Sequence, residues 1–203
     1  MTAGRIVVLA SGSGTNLQAL LDAERSAAGL GGSVVRVVTD RPQAGALERA
    51  AQAGVPSVAV PRARGGDRPD WEQALMAEVA AGEPDLVVLA GFMRILSAGF
   101  VARWPVLNVH PSLLPAFPGA HAVEEALAWG AKVTGCTVHF VDELVDHGPI
   151  VAQEAVPVAP EDTPDTLHAR IQAVEHRLLP ACVRLFCTGA LTIDDRIVRI
   201  SAP

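Results

Sequence analysis

The sequence predicts an α/β protein with an open, mainly parallel, twisted sheet that carries helices on both faces. Short runs of valine, isoleucine and leucine alternate with longer segments of helical periodicity through the first half of the chain. These apolar runs are continuous, which is typical of strands that are buried on both sides. Strands that alternate with helices favour a parallel sheet, because each crossover helix covers one face of it.

The first half of the chain is expected to contain four strands and three helices. The strands are apolar runs bounded by glycine, proline or polar residues, whereas the helices have apolar residues at helical spacing. The predicted strands are Arg5–Ala10, Val34–Asp40, Val55–Val60 and Pro84–Gly91. The predicted helices are about Asn16–Ala28, Ala44–Ala53 and Asp67–Gly82.

The pattern changes at Trp104, after which a proline-rich loop and longer strands appear. We expect one domain over residues 1–203, with an N-terminal half (1–103) and a C-terminal half (104–203). Predicted in order are strand Val106–His110, a loop to Gly119, a helix to about Trp129, strands Lys132–Val141 and Ile150–Val158 joined by the polar turn Asp142–Pro149, helix Pro164–Cys187, and a hairpin over Ala190–Ile200 that turns at Asp194–Asp195.

Composition excludes several classes of protein. The net charge of −6 at pH 7 leaves no basic surface for non-specific nucleic-acid binding. The cysteines are three in number and lack CxxC spacing, which argues against a disulfide framework or a zinc site. No apolar run approaches the roughly 20 residues that span a bilayer, so we expect a cytoplasmic protein without a membrane partner.

A glycine-rich loop follows the first strand. Gly12 and Gly14 allow a tight turn, and a helix that begins near Thr15 would aim free N–H groups at an anion such as a phosphate. A dinucleotide fingerprint would need a third glycine at the position of Leu17, although Asp40 could then bind a ribose. An ordinary tight turn remains a third interpretation.

The segment "NVHPSLLPAFPG" offers an amide and an imidazole on one extended stretch. Asn108 and His110 are two residues apart, so their side chains should point to the same side, and Pro111 favours extended geometry at His110. Asp146 could reach the imidazole if the strands are neighbours, and its charge would favour the protonated ring. A structural role for Asn108 and His110 stays open, and for Asp146 ordinary turn chemistry is preferred from its own residues.

Further candidates are weaker when each is taken alone. Arg94 lies just beyond a strand's C-terminal end, where open α/β sheets bind ligands, and Arg68 begins a helix. Glu175 lies in the long C-terminal helix, where a solvated face is the usual interpretation. His121 and His139 have no metal-ligand spacing.

Five stretches together resemble a known family. These are "VVLASGSGTNLQAL", "VVLAGFMRILS", "LNVHPSLLPAFPGAHA", "GCTVHFVDELVDHGPIVAQEAVPV" and "EHRLLP". In them the chain resembles the folate-dependent phosphoribosylglycinamide formyltransferases. The Asn-x-His-Pro-Ser-Leu-Leu-Pro segment is typical of folate-dependent formyl transfer and hydrolysis, and the glycine loop with Asn16 narrows the resemblance to the glycinamide ribonucleotide branch.

The resemblance implies a Rossmann-like formyltransferase fold and a one-carbon transferase of de novo purine biosynthesis. The enzyme would move a formyl group from 10-formyltetrahydrofolate, as co-substrate, to the amine of 5'-phosphoribosylglycinamide, with no metal. Residues 1–103 would be the phosphate-binding half, and residues 104–203 would carry catalytic and folate-binding elements. The expected partners are small molecules, and the expected protein is a monomer or homodimer.

The resemblance also implies the site residues. A protonated His110 and the Asn108 amide would stabilise the oxyanion, while Asp146 keeps His110 charged. The implied catalytic residues are Asn108, His110 and Asp146. The implied ribonucleotide-binding residues are Gly14, Thr15, Asn16, Gln172 and Glu175. The implied folate-binding residues are Arg68, Met93, Arg94, Ile95, Leu96, Asp142, Glu143, Leu144, Val145 and Asp146.

Two departures and several rival functions accompany this resemblance. The segment "RWPVLNVH" lacks the Gly-Arg pair that is common before this strand, and His147 stands where a small residue is common.

A methionyl-tRNA formyltransferase would be expected to add a C-terminal nucleic-acid-binding domain, and a formyltetrahydrofolate hydrolase an N-terminal regulatory domain. A nicotinamide-dependent oxidoreductase and a non-catalytic ligand-binding relative complete the set of rival functions.

Overall fold

The computed structural model of the chain describes residues 4–62 and 67–201, and these form a nine-stranded sheet with six helices. The strands are β1 Gly4–Leu9, β2 Gly32–Thr39, β3 Ser57–Ala59, β4 Leu86–Leu89, β5 Val106–His110, β6 Val133–Phe140, β7 Ile150–Pro157, β8 Leu191–Asp194 and β9 Ile197–Ile200. The helices are α1 Thr15–Arg25, α2 Gly45–Ala53, α3 Arg68–Ala80, α4 Ala98–Arg103, α5 Ala122–Ala128 and α6 Pro164–Cys187.

The sheet is open and mainly parallel, which confirms the predicted fold class. Its strand order is β3-β2-β1-β4-β5-β6-β7-β9-β8. The first five of these strands run parallel, and β6 and β7 then pair antiparallel. All the predicted strands are present in the predicted order.

Three details differ from the sequence-based expectation. Helix α1 ends at Arg25, because Ser26 takes an extended conformation and its N–H bonds to the Ala23 carbonyl. The six-residue helix α4 is an additional element, and Ser97 caps it by accepting the Phe100 N–H. The C-terminal hairpin turns one residue later than expected, at positions 195–196, because Asp194 pairs with Ile197.

The core lies on both faces of the sheet, as expected from the continuous apolar strands. Along β1, Ile6 and Val8 belong to one buried cluster with residues of α1, α2 and α6. Val7 and Leu9 belong to a second cluster with residues of α3 and α4. Alternate residues of one strand therefore anchor helices on opposite sides. Within the described residues no helix is both long and apolar enough to cross a membrane.

Strand order creates a crevice at the carboxyl end of β1. From β1 the chain continues to β2 on one side, and from β4 it continues to β5 on the other side, so the strand order reverses between β1 and β4. Ligands bind at such switch points in open α/β sheets. The loops that follow β1 and β4 meet here, because the Ser11 N–H donates to the Gly91 carbonyl at 3.0 Å. The fold therefore places the glycine loop next to the segment that contains Met93.

Candidate active site

The glycine loop ends in an uncapped helix start. Gly14 is the N-cap of α1 in the left-handed region at φ 76°, and no side chain among the described residues caps the helix. A Cβ at Gly14 would lie 2.7 Å from the Cα of Ala46, so both the turn and the packing of α2 require glycine. The first-turn N–H groups of α1 therefore have no side-chain cap, and such groups can bind an anion.

Helix α6 brings its predicted ribonucleotide residues against this loop. Gln172 donates its amide N–H to Thr15 Oγ1 at 3.0 Å, and Asn16 donates Nδ2–H to Glu175 Oε2 at 2.8 Å. Glu175 is only 4% exposed, so the solvated-face interpretation is wrong for it. Asn16 is also buried, and its Oδ1 finds no hydrogen-bond partner among residues 4–62 and 67–201.

A cation that the sequence analysis did not single out lies beside the loop. Arg49 of α2 donates from Nε to the Ser13 carbonyl at 2.8 Å and from Nη1 to Gln18 Oε1 at 3.2 Å. Its guanidinium therefore lies next to the start of α1, where positive charge would favour a bound phosphate. No local pattern indicates this contact, because Arg49 lies in a separate helix.

The three predicted catalytic residues, called the trio below, are brought together by three adjacent strands. Asn108 and His110 lie on β5, and β6 and β7 bring the turn that carries Asp146 to the same place. Asp146 Oδ2 lies 3.4 Å from His110 Nδ1 and accepts the Gly119 N–H at 2.7 Å. Its Oδ1 lies 3.4 Å from Asn108 Nδ2. Ordinary turn chemistry thus does not account for Asp146.

Hydrogen bonding assigns different roles to the two ring nitrogens of His110. Nε2 lies 2.8 Å from the carbonyl oxygen of Phe117. A carbonyl oxygen can only accept, so Nε2 carries a hydrogen and Nδ1 is the nitrogen that faces Asp146. Phe117 presents this carbonyl from the left-handed region at φ 53°. The ring is therefore held in one orientation by the proline-rich loop.

Asp146 is held in its charged form. Burial alone raises the pKa of this carboxyl, but the neighbouring groups, among them the His110 ring and the Gly119 N–H, together outweigh it. The pKa of Asp146 therefore lies below its ordinary value of 3.8. A carboxylate that is ionised at neutral pH favours the protonated form of a neighbouring imidazole.

A cavity of about 430 Å³ opens beside the trio and reaches the surface. Exposed apolar side chains form part of its wall, and polar groups of the trio lie at its inner end. Its lining includes these predicted catalytic and folate residues: Asn108, His110, Met93, Arg94, Ile95, Leu96, Asp142, Glu143, Leu144, Val145 and Asp146.

Two arginines predicted to contact folate are hydrogen-bonded within the protein. Arg94 donates from Nε to Asp40 Oδ2 at 2.7 Å, and its side chain is 36% exposed. Arg68 donates to the Ile95 carbonyl at 3.2 Å and is absent from the cavity lining. Asp40 also accepts from the Ser11 hydroxyl, and its side chain is fully buried. The ribose-binding interpretation of Asp40 is therefore wrong.

The loop 142–146, which is predicted to bind folate, is fastened to the C-terminal hairpin. His147 Nδ1 lies 2.6 Å from Asp142 Oδ2, and Arg196 donates to the His147 carbonyl at 2.7 Å. Burial raises the pKa of Asp142, but the His147 hydrogen bond and the Leu144 N–H outweigh it and lower this pKa overall. His147 stands where a small residue is common in the family that the sequence resembles, and in this structure it links the loop to the hairpin.

No group of three or more histidine, cysteine or acidic residues is arranged to hold a metal ion within residues 4–62 and 67–201. His139 lies in the cavity wall beside the trio instead of in a cluster of ligands. Sequence spacing does not reveal this placement, because the position of His139 opposite Asn108 depends on the register of β5 with β6.

Known proteins share both the sequence and the fold. A formyl transferase family model matches residues 4–183. A phosphoribosylglycinamide formyltransferase from Mycobacterium tuberculosis is 50% identical over 95% of this chain and 89% of that protein. The trifunctional purine biosynthetic protein adenosine-3 of Drosophila melanogaster is 45% identical over 95% of this chain, which spans only 14% of that longer protein.

Solved structures agree with these relatives. Glycinamide ribonucleotide transformylase 1 from Symbiobacterium toebii has a TM-score of 0.94 and 49% identity, with 98% of this chain and 94% of that chain covered. A formyltetrahydrofolate deformylase from Pseudomonas syringae has a TM-score of 0.91 at 26% identity, with 99% of this chain and 67% of that chain covered. The chain therefore belongs to the formyl transferase family and, within it, to the phosphoribosylglycinamide formyltransferases.

Proposed function

We propose that this protein transfers the formyl group of 10-formyltetrahydrofolate to the amine of 5'-phosphoribosylglycinamide, a step of purine biosynthesis. The products are 5'-phosphoribosyl-N-formylglycinamide and tetrahydrofolate. The observation that carries the proposal is the position of Asp146, whose carboxylate lies between Asn108 and His110 at the inner end of a cavity beside the glycine loop.

The ribonucleotide would lie along the start of α1. Its phosphate would accept the first-turn N–H groups after Gly14, with the Arg49 guanidinium nearby. The buried carboxylate of Glu175 and the Oδ1 of Asn16, which has no partner within the described residues, would accept hydrogen bonds from the rest of this substrate. Gln172 would hold Thr15 in place from α6.

The folate would occupy the cavity. Met93, Ile95, Leu144 and Val145 expose apolar side chains that a flat heterocycle could cover, which would remove apolar surface from water. The roles of Arg68 and Arg94 are best described as holding the 93–96 segment, because each is already bonded within the protein. Both would still lend positive charge to the side on which an anionic folate approaches.

The proposed reaction begins with attack of the ribonucleotide amine on the formyl carbon. The carbonyl oxygen then gains negative charge, and His110 Nδ1–H and the Asn108 amide would donate to it. The C–N bond to the folate breaks, while the attacking nitrogen loses one proton and the departing folate nitrogen gains one. The Asp146 carboxylate faces His110 Nδ1 and would carry this proton between the two nitrogens.

The direct test mixes the protein with both substrates and follows tetrahydrofolate release. We expect release that requires 5'-phosphoribosylglycinamide, and a loss of about 100- to 1,000-fold in rate for His110→Ala, the size expected when one oxyanion donor is removed. Release without the ribonucleotide, accompanied by formate, would instead mean hydrolysis. Binding of NADH without formyl transfer would favour an oxidoreductase.

The proposal also includes the cellular location, the partners and the oligomeric state of the enzyme. We expect it to work in the cytoplasm on small molecules alone, as a monomer or homodimer. Sedimentation of the purified chain with and without both substrates would distinguish these two states.

A further inference from the structure

His139 is a second buried imidazole at the inner end of the cavity. It lies on β6 directly opposite Asn108 in the antiparallel register of β5 and β6, and only 1% of its surface is exposed. The transfer chemistry proposed above gives it no task. A buried polar ring in a cavity wall needs hydrogen-bond partners, and those partners indicate its role.

Each nitrogen of His139 has an identifiable partner. Nδ1 lies 2.8 Å from the carbonyl oxygen of Phe140, which can only accept, so Nδ1 carries a hydrogen. In the neutral ring Nε2 then has a lone pair, and Asn108 Nδ2 lies 3.1 Å from it. The Asn108 amide therefore donates to His139.

This contact fixes which end of the Asn108 amide faces which neighbour. One Nδ2 hydrogen is directed at His139, and the second is directed at Asp146 Oδ1 over a longer distance of 3.4 Å. An amide rotated by 180° would place its carbonyl oxygen against a lone pair and a carboxylate, which is repulsive. The long second bond is the weaker one, so its hydrogen is available to another acceptor.

We propose that His139 is a positioning residue that orients the Asn108 amide, so that its second N–H is presented to the oxyanion. His139 acts only through Asn108, because its Nε2 lies 3.7 Å from Asp146 Oδ1 and both of its nitrogens are otherwise engaged. The proposal rests on the formyl transfer proposed above. It assigns a task to a residue outside the trio of Asn108, His110 and Asp146.

The test compares two substitutions that each keep half of the imidazole's hydrogen bonding. His139→Gln places an acceptor near the former Nε2 and keeps a partner for Asn108, whereas His139→Asn keeps a donor for Phe140 and removes that acceptor. We expect kcat to fall about tenfold in His139→Asn, the size of one hydrogen bond, and to stay within about threefold in His139→Gln. The KM values of both substrates should change little, because neither contact is needed for binding.

A double-mutant cycle tests whether the effect passes through Asn108. In an Asn108→Ala background, His139→Asn should lower kcat no further. His168→Asn, the same chemical change at an exposed position of α6, is the control for the substitution itself. Equal losses in His139→Gln and His139→Asn, full activity in His139→Asn, or additive losses with Asn108→Ala would overturn the proposal.

Nuclear magnetic resonance gives a readout that does not depend on turnover. The two side-chain amide protons of Asn108 should be distinct and slowly exchanging in the wild type and in His139→Gln, even if His139→Asn fails to fold. Equivalent or rapidly exchanging protons in the wild type would overturn the proposed orientation. A wild type that shows restrained Asn108 protons but no formyl transfer would contradict the proposed function and leave the orientation supported.

Discussion

The Ser11 hydroxyl donates to Asp40 Oδ1 at 2.6 Å, while its oxygen accepts the Met93 N–H at 2.9 Å. Ser11 opens the glycine loop, and Met93 opens the segment that lines the cavity proposed to bind folate. Asp40 also holds Arg94 of that segment. One buried hydroxyl and one buried carboxylate therefore join the two predicted substrate sites.

Substitution of Ser11 should weaken this connection. Ser11→Val and Ser11→Thr have nearly equal volume, but only threonine keeps the hydroxyl. Loss of the hydroxyl leaves the Met93 N–H and a charged carboxylate without their partner, which costs about 1–3 kcal/mol. Urea denaturation should show this difference between the two variants, and folate binding measured by calorimetry should be weaker in Ser11→Val. Equal behaviour of the two would contradict the assigned role.

Asp146→Asn should change both the activity of the protein and the way its stability depends on pH in the acid range. Neutral asparagine can neither pair with a protonated His110 nor carry the transferred proton, so kcat should fall about 100-fold or more. Because the folded-state pKa of Asp146 is lowered, its contribution to stability is complete above the ordinary value of 3.8 and is lost as the pH falls through the folded value. The wild type should thus lose its stability advantage over Asp146→Asn below about pH 4. Denaturation between about pH 6 and about pH 3 measures this, and parallel curves would contradict it.

Glu175→Gln should affect the ribonucleotide selectively. The Glu175 carboxylate accepts from Asn16 and is buried, so the variant loses a charged acceptor without a change in size. We expect the KM for 5'-phosphoribosylglycinamide to rise about tenfold, as for loss of one charge-assisted hydrogen bond, while the KM for the folate stays constant. Steady-state kinetics with each substrate varied in turn will show this. A matching rise in both KM values would instead indicate general damage.

Arg196→Ala should loosen the loop 142–146. The guanidinium holds the His147 carbonyl from the C-terminal hairpin, and its loss removes a surface contact worth at most about 1 kcal/mol. Amide hydrogen exchange of Glu143–Asp146 should speed up several-fold, and folate affinity should fall modestly. Arg199→Ala removes an exposed arginine from the same hairpin and is the matched control. Exchange rates that are equal in the two variants would argue against this link.

Local patterns suffice for the centre of the sheet, because β1 and β4 are continuous apolar runs that a sheet covered on both faces can bury. They also predict correctly that Asn108 and His110 lie together, because residues two apart on a strand point to the same face of the sheet. Local patterns do not predict the six-residue helix that follows Ser97, because the serine cap is its main sequence signal and a single serine is not distinctive. The cis Leu114–Pro115 bond likewise leaves no trace in the sequence.

Contacts between distant segments cannot be foreseen from local patterns. His139 lacks metal-ligand spacing, and only the register of β5 with β6 brings it to Asn108. Asp40 has the chemistry of a ribose ligand, yet burial between Ser11 and Arg94 makes it an internal anchor. In each case the residue type is visible, but the partner lies more than 25 positions away in the chain.

The contact between Phe117 and His110 uses a backbone carbonyl in a left-handed conformation, and it requires nothing of the phenyl ring. The backbone φ angle at position 117, rather than the chemistry of the side chain, should therefore decide which amino acids this position accepts. In a saturation library, glycine and asparagine should be accepted there, whereas valine and isoleucine should be rejected despite their similar hydrophobicity to phenylalanine. The backbone conformation at position 117 is thus the property that the site requires.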